Sequence, residues 1–313
     1  MRIAIYGTGG VGGFIGAKLA LAGEDVVFLA RGPHLEALRT AGLRLDAGSK
    51  QYFVQPAHAS AEPAEIGPVD GVILGIKTWQ VTEAAQAMRP MIGPQTFVLT
   101  LQNGIDAPSQ VAEALGWEHV VAGRCAIVSF IVAPGHIRAL GDGIDIAFGE
   151  WDNRPSARTA ALQALFLRAG FSSAIAANIQ QSLWEKLMFV VAWGSVGAVT
   201  RAPMGVIRAV PEARRLHAQA VREIAAVARA HRIAITDEAI ERTLGSPDTV
   251  PATGTTSLQR DLAAGKPSEL EAWTGAVVRL AQAAQVPVPA HDFMYASLLP
   301  TELRARGKLE FAS

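Results

Sequence analysis

The chain has 313 residues, half of them hydrophobic, with 28 Lys plus Arg against 28 Asp plus Glu and one cysteine, Cys125. That length supports two domains with cores of their own. The even charge balance leaves no electrostatic footprint for nucleic acid or an anionic membrane, and one cysteine excludes an intrachain disulfide or an all-cysteine metal site. Cys125 itself reads as a small buried hydrophobe. No apolar stretch is long enough for a membrane helix, and the first apolar run is too short for a signal peptide, so the expected location is the cytoplasm.

The first thirty-one residues organise the rest. Arg2 to Tyr6 is a short apolar β-run that meets Gly7-Thr8-Gly9-Gly10-Val11-Gly12 at once. Phe14 to Ala22 then carries apolar residues at helical spacing, Gly23 stops the helix, and Asp25 to Ala30 is a second β-run. Strand, glycine turn, helix and strand in this order open a dinucleotide-binding fold. In that reading Gly7 permits the turn, Gly9 lets a pyrophosphate approach the backbone, and Gly12 lets the helix lie close to the strand. The N–H groups at the helix start face the phosphates.

The end of the second strand selects the cofactor. An NAD site places Asp or Glu about 20 residues beyond the glycines to bond the ribose 2′-hydroxyl. Here Ala30-Arg31-Gly32 stands there. A planar, permanently charged guanidinium suits a 2′-phosphate, so the expected cofactor is NADP(H). An arginine that is merely exposed to water is the plain alternative.

A helix around His34 to Ala41 and β-like pieces at Leu43 to Leu45 and Gln51 to Val54 follow. Val69 to Ile76 reads as a buried strand ending at Lys77, and Thr96 to Leu101 as the next, ending at Gln102-Asn103-Gly104. Helices follow each, to Met88 and from Ala107 to Leu115. Val120 to Val132 is β-rich, Pro134-Gly135 turns it, and His136 to Leu140 with Ile144 to Phe148 suggest a hairpin or antiparallel edge. A helix from Ser156 to Ala169 and a strand at Ser172 to Ile175 close this half. Alternating strands and helices mean a mostly parallel, doubly wound α/β sheet of Rossmann type. Ligands bind beyond the carboxyl ends of such strands, where Lys77 can meet phosphate or ribose and Asn103 the nicotinamide or substrate. Polar strand ends meeting water are the alternative for both.

From Gln180 onward the pattern is helical, with helices near 179–199, 203–208, 211–231, 237–244, 257–264, 269–285 and 291–306. The expected domains are therefore residues 1–175, binding NADP, and 176–313, an all-α substrate domain. Lys186 stands out in the apolar stretch Leu183-Trp184-Glu185-Lys186-Leu187-Met188-Phe189-Val190-Val191-Ala192-Trp193-Gly194. It can snorkel to water or pair with Glu185. Or it can sit desolvated in a cleft, where burial weakens its hold on the proton and makes it a general acid for a carbonyl oxygen. Ser257 and Glu269 flank a Gly265-Lys266-Pro267 turn that can return both to one cleft. Ser257 would hold a substrate carboxylate, and Glu269 would bond substrate or orient Lys186. The alternative for Glu269 is a first-turn glutamate with Ser268 as N-cap.

With these residues in order the chain resembles the ketopantoate reductase (2-dehydropantoate 2-reductase) family nearly end to end. The motifs that carry the resemblance are the Gly7 turn, Arg31, Lys77, Gln102-Asn103-Gly104, Trp184-Glu185-Lys186-Leu187 and Ser257…Glu269, with Gln259, Asp261 and Gly265 between. It implies a helical domain like that of 6-phosphogluconate dehydrogenase and NADPH reduction of a 2-oxo acid, ketopantoate to pantoate in pantothenate biosynthesis or a related more apolar 2-oxo acid. It implies Lys186 as acid/base, Glu269 as its aid and a substrate contact, and Ser257 as substrate ligand. It implies Asn103 beside nicotinamide and substrate, and Ser129 as a further cofactor contact. The family pattern has Asn four and eight residues after the lysine and another between a Pro and a Gly. Here those positions are Val190, Gly194 and Met204. A site built to bond a substrate hydroxyl loses discrimination when its partners vanish, so the departures point to a 2-oxo acid with a more apolar or bulkier tail, near Trp193. A nucleotide-holding, redox-sensing protein without catalysis stays open, as does another two-domain hydroxy-acid dehydrogenase that uses a different lysine, such as Lys77. The seven histidines, His34, His58, His119, His136, His217, His231 and His291, have no metal-ligand spacing. A homodimer through the apolar helices also stays open.

Overall fold

The structure, a computed structural model, describes residues 1–310. It divides into two compact units: Met1–Gln102 with Asp106–Ser182, and Asn103–Ile105 with the chain from Leu183. Among the described residues no helix is long and apolar enough to cross a membrane.

The first unit runs β1 (Arg2–Tyr6), α1 (Gly10–Leu21), β2 (Asp25–Leu29), α2 (Gly32–Ala41), β3 (Leu43–Ala47), β4 (Lys50–Val54), β5 (His58–Ser60), α3 (Pro63–Ile66) and β6 (Val69–Leu74). It continues with α4 (Val81–Ala87), β7 (Ile92–Thr100), α5 (Ala107–Leu115), β8 (Val120–Ala126), β9 (Ser129–Ala133), β10 (His136–Ala139), β11 (Asp145–Glu150), α6 (Ala157–Arg168) and β12 (Ser172–Ile175). The main sheet has eight strands in the order β12-β11-β8-β7-β6-β1-β2-β5. β6 lies between β1 and β7 and runs parallel to both, so Gly7, Lys77 and Gln102 all emerge at the carboxyl edge. Both faces are covered, which is why these strands read as continuous apolar runs rather than alternating ones.

A second sheet, β4-β3-β10-β9, lies over α1. The helix is thus enclosed on two sides, and its glycines face both. A Cβ on Gly16 would collide with Phe28, and one on Gly13 would lie 2.7 Å from Ile137 of β10. Phe14, Ile15 and Leu19 fill the core between them.

This sheet corrects the expected hairpin of 136–140 with 144–148. β10 pairs with β9 antiparallel and β3 parallel, whereas β11 joins the main sheet against β8. The chain changes sheets at Gly141-Asp142-Gly143, and a charge cluster holds the crossing. The Asp142 carboxylate takes Lys18 at 3.0 Å, Lys50 at 2.8 Å and the Tyr52 hydroxyl at 2.9 Å. These partners lie far off in sequence, so local pattern does not reveal the switch.

The second unit is helical: α7 (Ile179–Thr200, its body from Leu183), α8 (Met204–Ala209), α9 (Pro211–Ala230), α10 (Asp237–Leu244), α11 (Ser246–Thr249) and α12 (Ser257–Ala263), then a π-helical turn at Glu271–Gly275, α13 (Ala276–Ala284) and α14 (Pro289–Ala305). One stripe of α7, Trp184, Leu187, Met188, Val191, Ala192 and Val196, enters the core with Val221 and Ile224 of α9 and Met294 of α14. Two buried carboxylates tie α14 down. Glu223 accepts the backbone N–H groups of Ala290 and His291 and bonds the His291 ring at 2.7 Å. Glu302 accepts the N–H and hydroxyl of Ser268 and the guanidinium of Arg306.

Two outcomes follow from this architecture. Asp46 of β3 accepts hydrogen bonds from Arg44 at 3.0 Å and His136 at 2.8 Å, linking β3 to β10. The Arg44 bond, opposed by burial and joined by His136, lowers its pKa to about 2. A folded pKa below the unfolded one adds stability above the unfolded value that is lost as pH falls through the folded one. The melting temperature of Asp46→Asn should therefore lie below wild type at pH 6, and the gap should close as pH falls from about 4 towards 2; a gap independent of pH would refute this linkage. Gly12→Ala would drive its methyl into the Gly7 carbonyl. It should cost about 1–3 kcal/mol in denaturant unfolding, the usual range for overpacking.

Candidate active site

The glycine turn is built from three backbones in contact. Gly7 has φ +95°, a conformation strained for any side chain, and its carbonyl lies where a Cβ on either Gly12 or Gly75 would have to go. Gly75 also donates its N–H to the Tyr6 carbonyl at 2.9 Å, sealing β6 against β1. Gly9 is the N-cap of α1 and provides no side-chain cap, so the first-turn N–H groups are left to a ligand or water. Thr8 is buried, and its hydroxyl donates to the Leu29 carbonyl at 2.9 Å, tying the turn to the end of β2. Gly10 packs directly on the backbone of Ser129. The Ser129 hydroxyl is buried and has no partner among the described residues. Val11 is half-buried against the core. Open helix-start donors, a turn lined by Gly7, Gly9 and Gly10, and an unpartnered hydroxyl alongside fit a dinucleotide's pyrophosphate.

Arg31 is exposed at the N-cap of α2. Its charge is felt at the end of β1: burial raises the Tyr6 hydroxyl pKa, and Arg31 pulls it back. Lys77 follows β6, half-buried, with its ammonium 5.8 Å from the centre of the Trp79 ring. Gln102 has a structural task that the sequence reading missed. Its amide donates to the carbonyls of Leu74 at 2.9 Å and Ile76 at 3.1 Å, fastening the end of β7 to that of β6.

Asn103 groups with the helical unit. Gly104 beside it has φ +104°, and a Cβ there would lie 2.9 Å from the Ala272 carbonyl, while Ile105 packs on the helical core. Neighbours of the sequence-predicted residues of that unit meet at Gly194: Thr256, next to Ser257, and Trp273, one turn after Glu269. Lys186 is half-buried two turns earlier on the same helix. A Cβ on Gly194 would be 2.7 Å from the Trp273 ring and 3.1 Å from the Thr256 hydroxyl. Thr256 caps α12 in a reciprocal box with Gln259, which puts Ser257 at the first helical position, half-buried. Trp273 donates its backbone N–H to the carbonyl of Glu269 at 3.0 Å. Glu185 pairs with Arg242 of α10 at 2.9 Å.

Glu269 is buried, but it precedes the helix rather than lying in its first turn. Ser268 is held by Glu302, and the chain enters the helix through a π turn at Glu271–Gly275. Such turns interrupt the regular ladder and often mark functional positions. Trp273 was missed from sequence; its signal was a tryptophan one turn after the candidate glutamate.

Two family models match the chain: ketopantoate reductase PanE/ApbA over residues 3–153 and its C-terminal part over residues 178–302. A 2-dehydropantoate 2-reductase from Mesorhizobium japonicum is 28% identical, with 95% of this chain and 96% of that protein covered. One from Halobacterium salinarum is 29% identical over 92% of this chain and 95% of its own. The crystal structure of a PanE/ApbA family ketopantoate reductase from Ralstonia eutropha JMP134 superposes with a TM-score of 0.90 at 30% identity, covering 98% of this chain and 100% of that one. With both halves matched in order and a solved relative aligned over its whole length, the chain belongs to the ketopantoate reductase PanE/ApbA family and is an oxidoreductase.

Proposed function

We propose that the protein reduces a 2-oxo acid to the corresponding 2-hydroxy acid with NADPH, and that Lys186 supplies the proton. The observation that carries this reading is the convergence on Gly194 of the Lys186 helix, the Ser257 end of α12 and the Glu269 turn. The names of the relatives support the reaction class: both curated proteins above are 2-dehydropantoate 2-reductases.

The nucleotide is assigned to residues 1–175 and the acid and substrate groups to 176–313, with Asn103 serving both. Gly7, Gly9, Gly10, Gly12 and the backbone at Thr8 and Val11 receive the pyrophosphate, with the Ser129 hydroxyl as a further donor and Lys77 near phosphate or ribose. Arg31 favours NADPH over NADH because a guanidinium binds two oxygens of the 2′-phosphate. When bound, the nicotinamide supplies the hydride that reaches the carbonyl carbon. Ser257 holds the substrate carboxylate through its hydroxyl. Lys186 gives its proton to the carbonyl oxygen, where negative charge gathers as the carbon is reduced. Glu269, fixed between the Ser268–Glu302 anchor and the π turn, keeps the ammonium aimed and charged.

Lys186→Ala should lower kcat by about 10²–10⁴-fold while leaving NADPH affinity intact, and should abolish the fall in rate as pH rises through the acid's pKa. Steady-state kinetics with a titration of NADPH fluorescence separates these. Full turnover in Lys186→Ala, with loss instead in Lys77→Ala, would assign the acid to Lys77. Arg31→Ala should raise the KM for NADPH about ten- to a hundredfold and leave that for NADH nearly unchanged; equal effects on both would remove the case for the 2′-phosphate.

A further inference from the structure

The face of α7 that carries Lys186 differs in kind from its core face. Trp184, Leu187, Met188, Val191 and Val196 are buried, whereas Lys186, Phe189, Val190 and Trp193 are all only half-buried. The last three stand three, four and seven residues after the lysine, so they lie on its side of the helix within two turns. The two rings touch at a tilt, with centroids 5.7 Å apart. Trp193 is seated on its far side by Gly254, where a Cβ would lie 3.3 Å from its Cζ2. Its indole N–H is buried and has no acceptor among the described residues, so packing holds the ring. Gly194 extends this surface. The fully buried Trp273 ring occupies the space a side chain would need there, and Met204 is wholly buried.

Resting on the reductase reading above, we infer that this face selects 2-oxo acids with an aromatic or bulky apolar side chain, with Trp193 as the specificity-determining residue. A substrate whose carbonyl oxygen meets Lys186 has its tail over Phe189, Val190 and Trp193. None of these side chains offers an acceptor, and the one donor, the Trp193 indole N–H, is buried, so the O–H of a hydroxylated tail loses water and finds no partner here. An aryl or branched tail gains ring contact and excludes water.

The test is steady-state kinetics of the full chain with NADPH and four probes: phenylpyruvate, 4-methyl-2-oxopentanoate, pyruvate and ketopantoate. The expected result is a kcat/KM for phenylpyruvate at least about tenfold above that for ketopantoate, the scale on which apolar pockets discriminate. Trp193→Leu should narrow the phenylpyruvate-to-pyruvate ratio of kcat/KM about tenfold, mainly through KM for the aryl acid. Phe189→Leu makes the same measurement if Trp193→Leu does not fold. Ketopantoate turned over as well as phenylpyruvate, or a variant that lowers both probes alike, would overturn the inference while the reductase reading stands. No oxidation of NADPH or NADH with any probe would overturn both.

Discussion

Three backbones meeting without side chains between them set the geometry of the first unit. The Gly7 carbonyl sits against both Gly12 and Gly75, and the Gly75 N–H closes on Tyr6. Close packing leaves no room for even a methyl group at either contact. That approach aligns the ends of β1 and β6 with the start of α1, and Gln102 then fastens β7 to the same edge. The open helix-start donors, Lys77 and Ser129 owe their positions to it. The second sheet completes the enclosure, since α1 has glycines towards β2 on one side and towards β10 on the other.

In the helical unit a comparable part falls to buried polar anchors. Glu302 receives Ser268 and Arg306, and Glu223 receives the start of α14. A carboxylate out of water is costly unless its oxygens are bonded, and each of these is bonded several times over. The result is a stiff frame in which Glu269 is fixed before a π turn and Trp273 is pressed onto Gly194. The ring replaces with apolar surface what a longer side chain at that position would have made polar. In the proposed reading chemistry and selectivity share this helix, with Lys186 as the charged group and Phe189, Val190 and Trp193 within the next two turns as the apolar surface.

How much could be read in advance depended on how local the signal was. The Gly7 turn, α1, β6 and α5 followed from period and punctuation, and the helices of the second half came within a few residues because breakers such as Pro211 and Gly265 mark their ends. The small sheet was not legible, because β3 and β10 pair across roughly ninety residues and neither strand alone says which sheet it joins. Nor was the π-helical entry after Glu269, where Ser268 is bonded by Glu302 of the distant α14.

Sequence alone determined the two classes of architecture and the candidate chemical groups: a glycine turn after a strand, an arginine after the next, a lysine in an apolar helix, a serine and glutamate about a turn. Those signals are covalent neighbours, and period or spacing records them. Only the tertiary structure decided that Thr8 ties the turn to Leu29, that Gln102 is a clamp, that Asn103 sits on the helical unit, and that Trp273 covers Gly194. Each is a contact between distant segments, and such contacts depend on the packed shape of several elements at once rather than on any one of them.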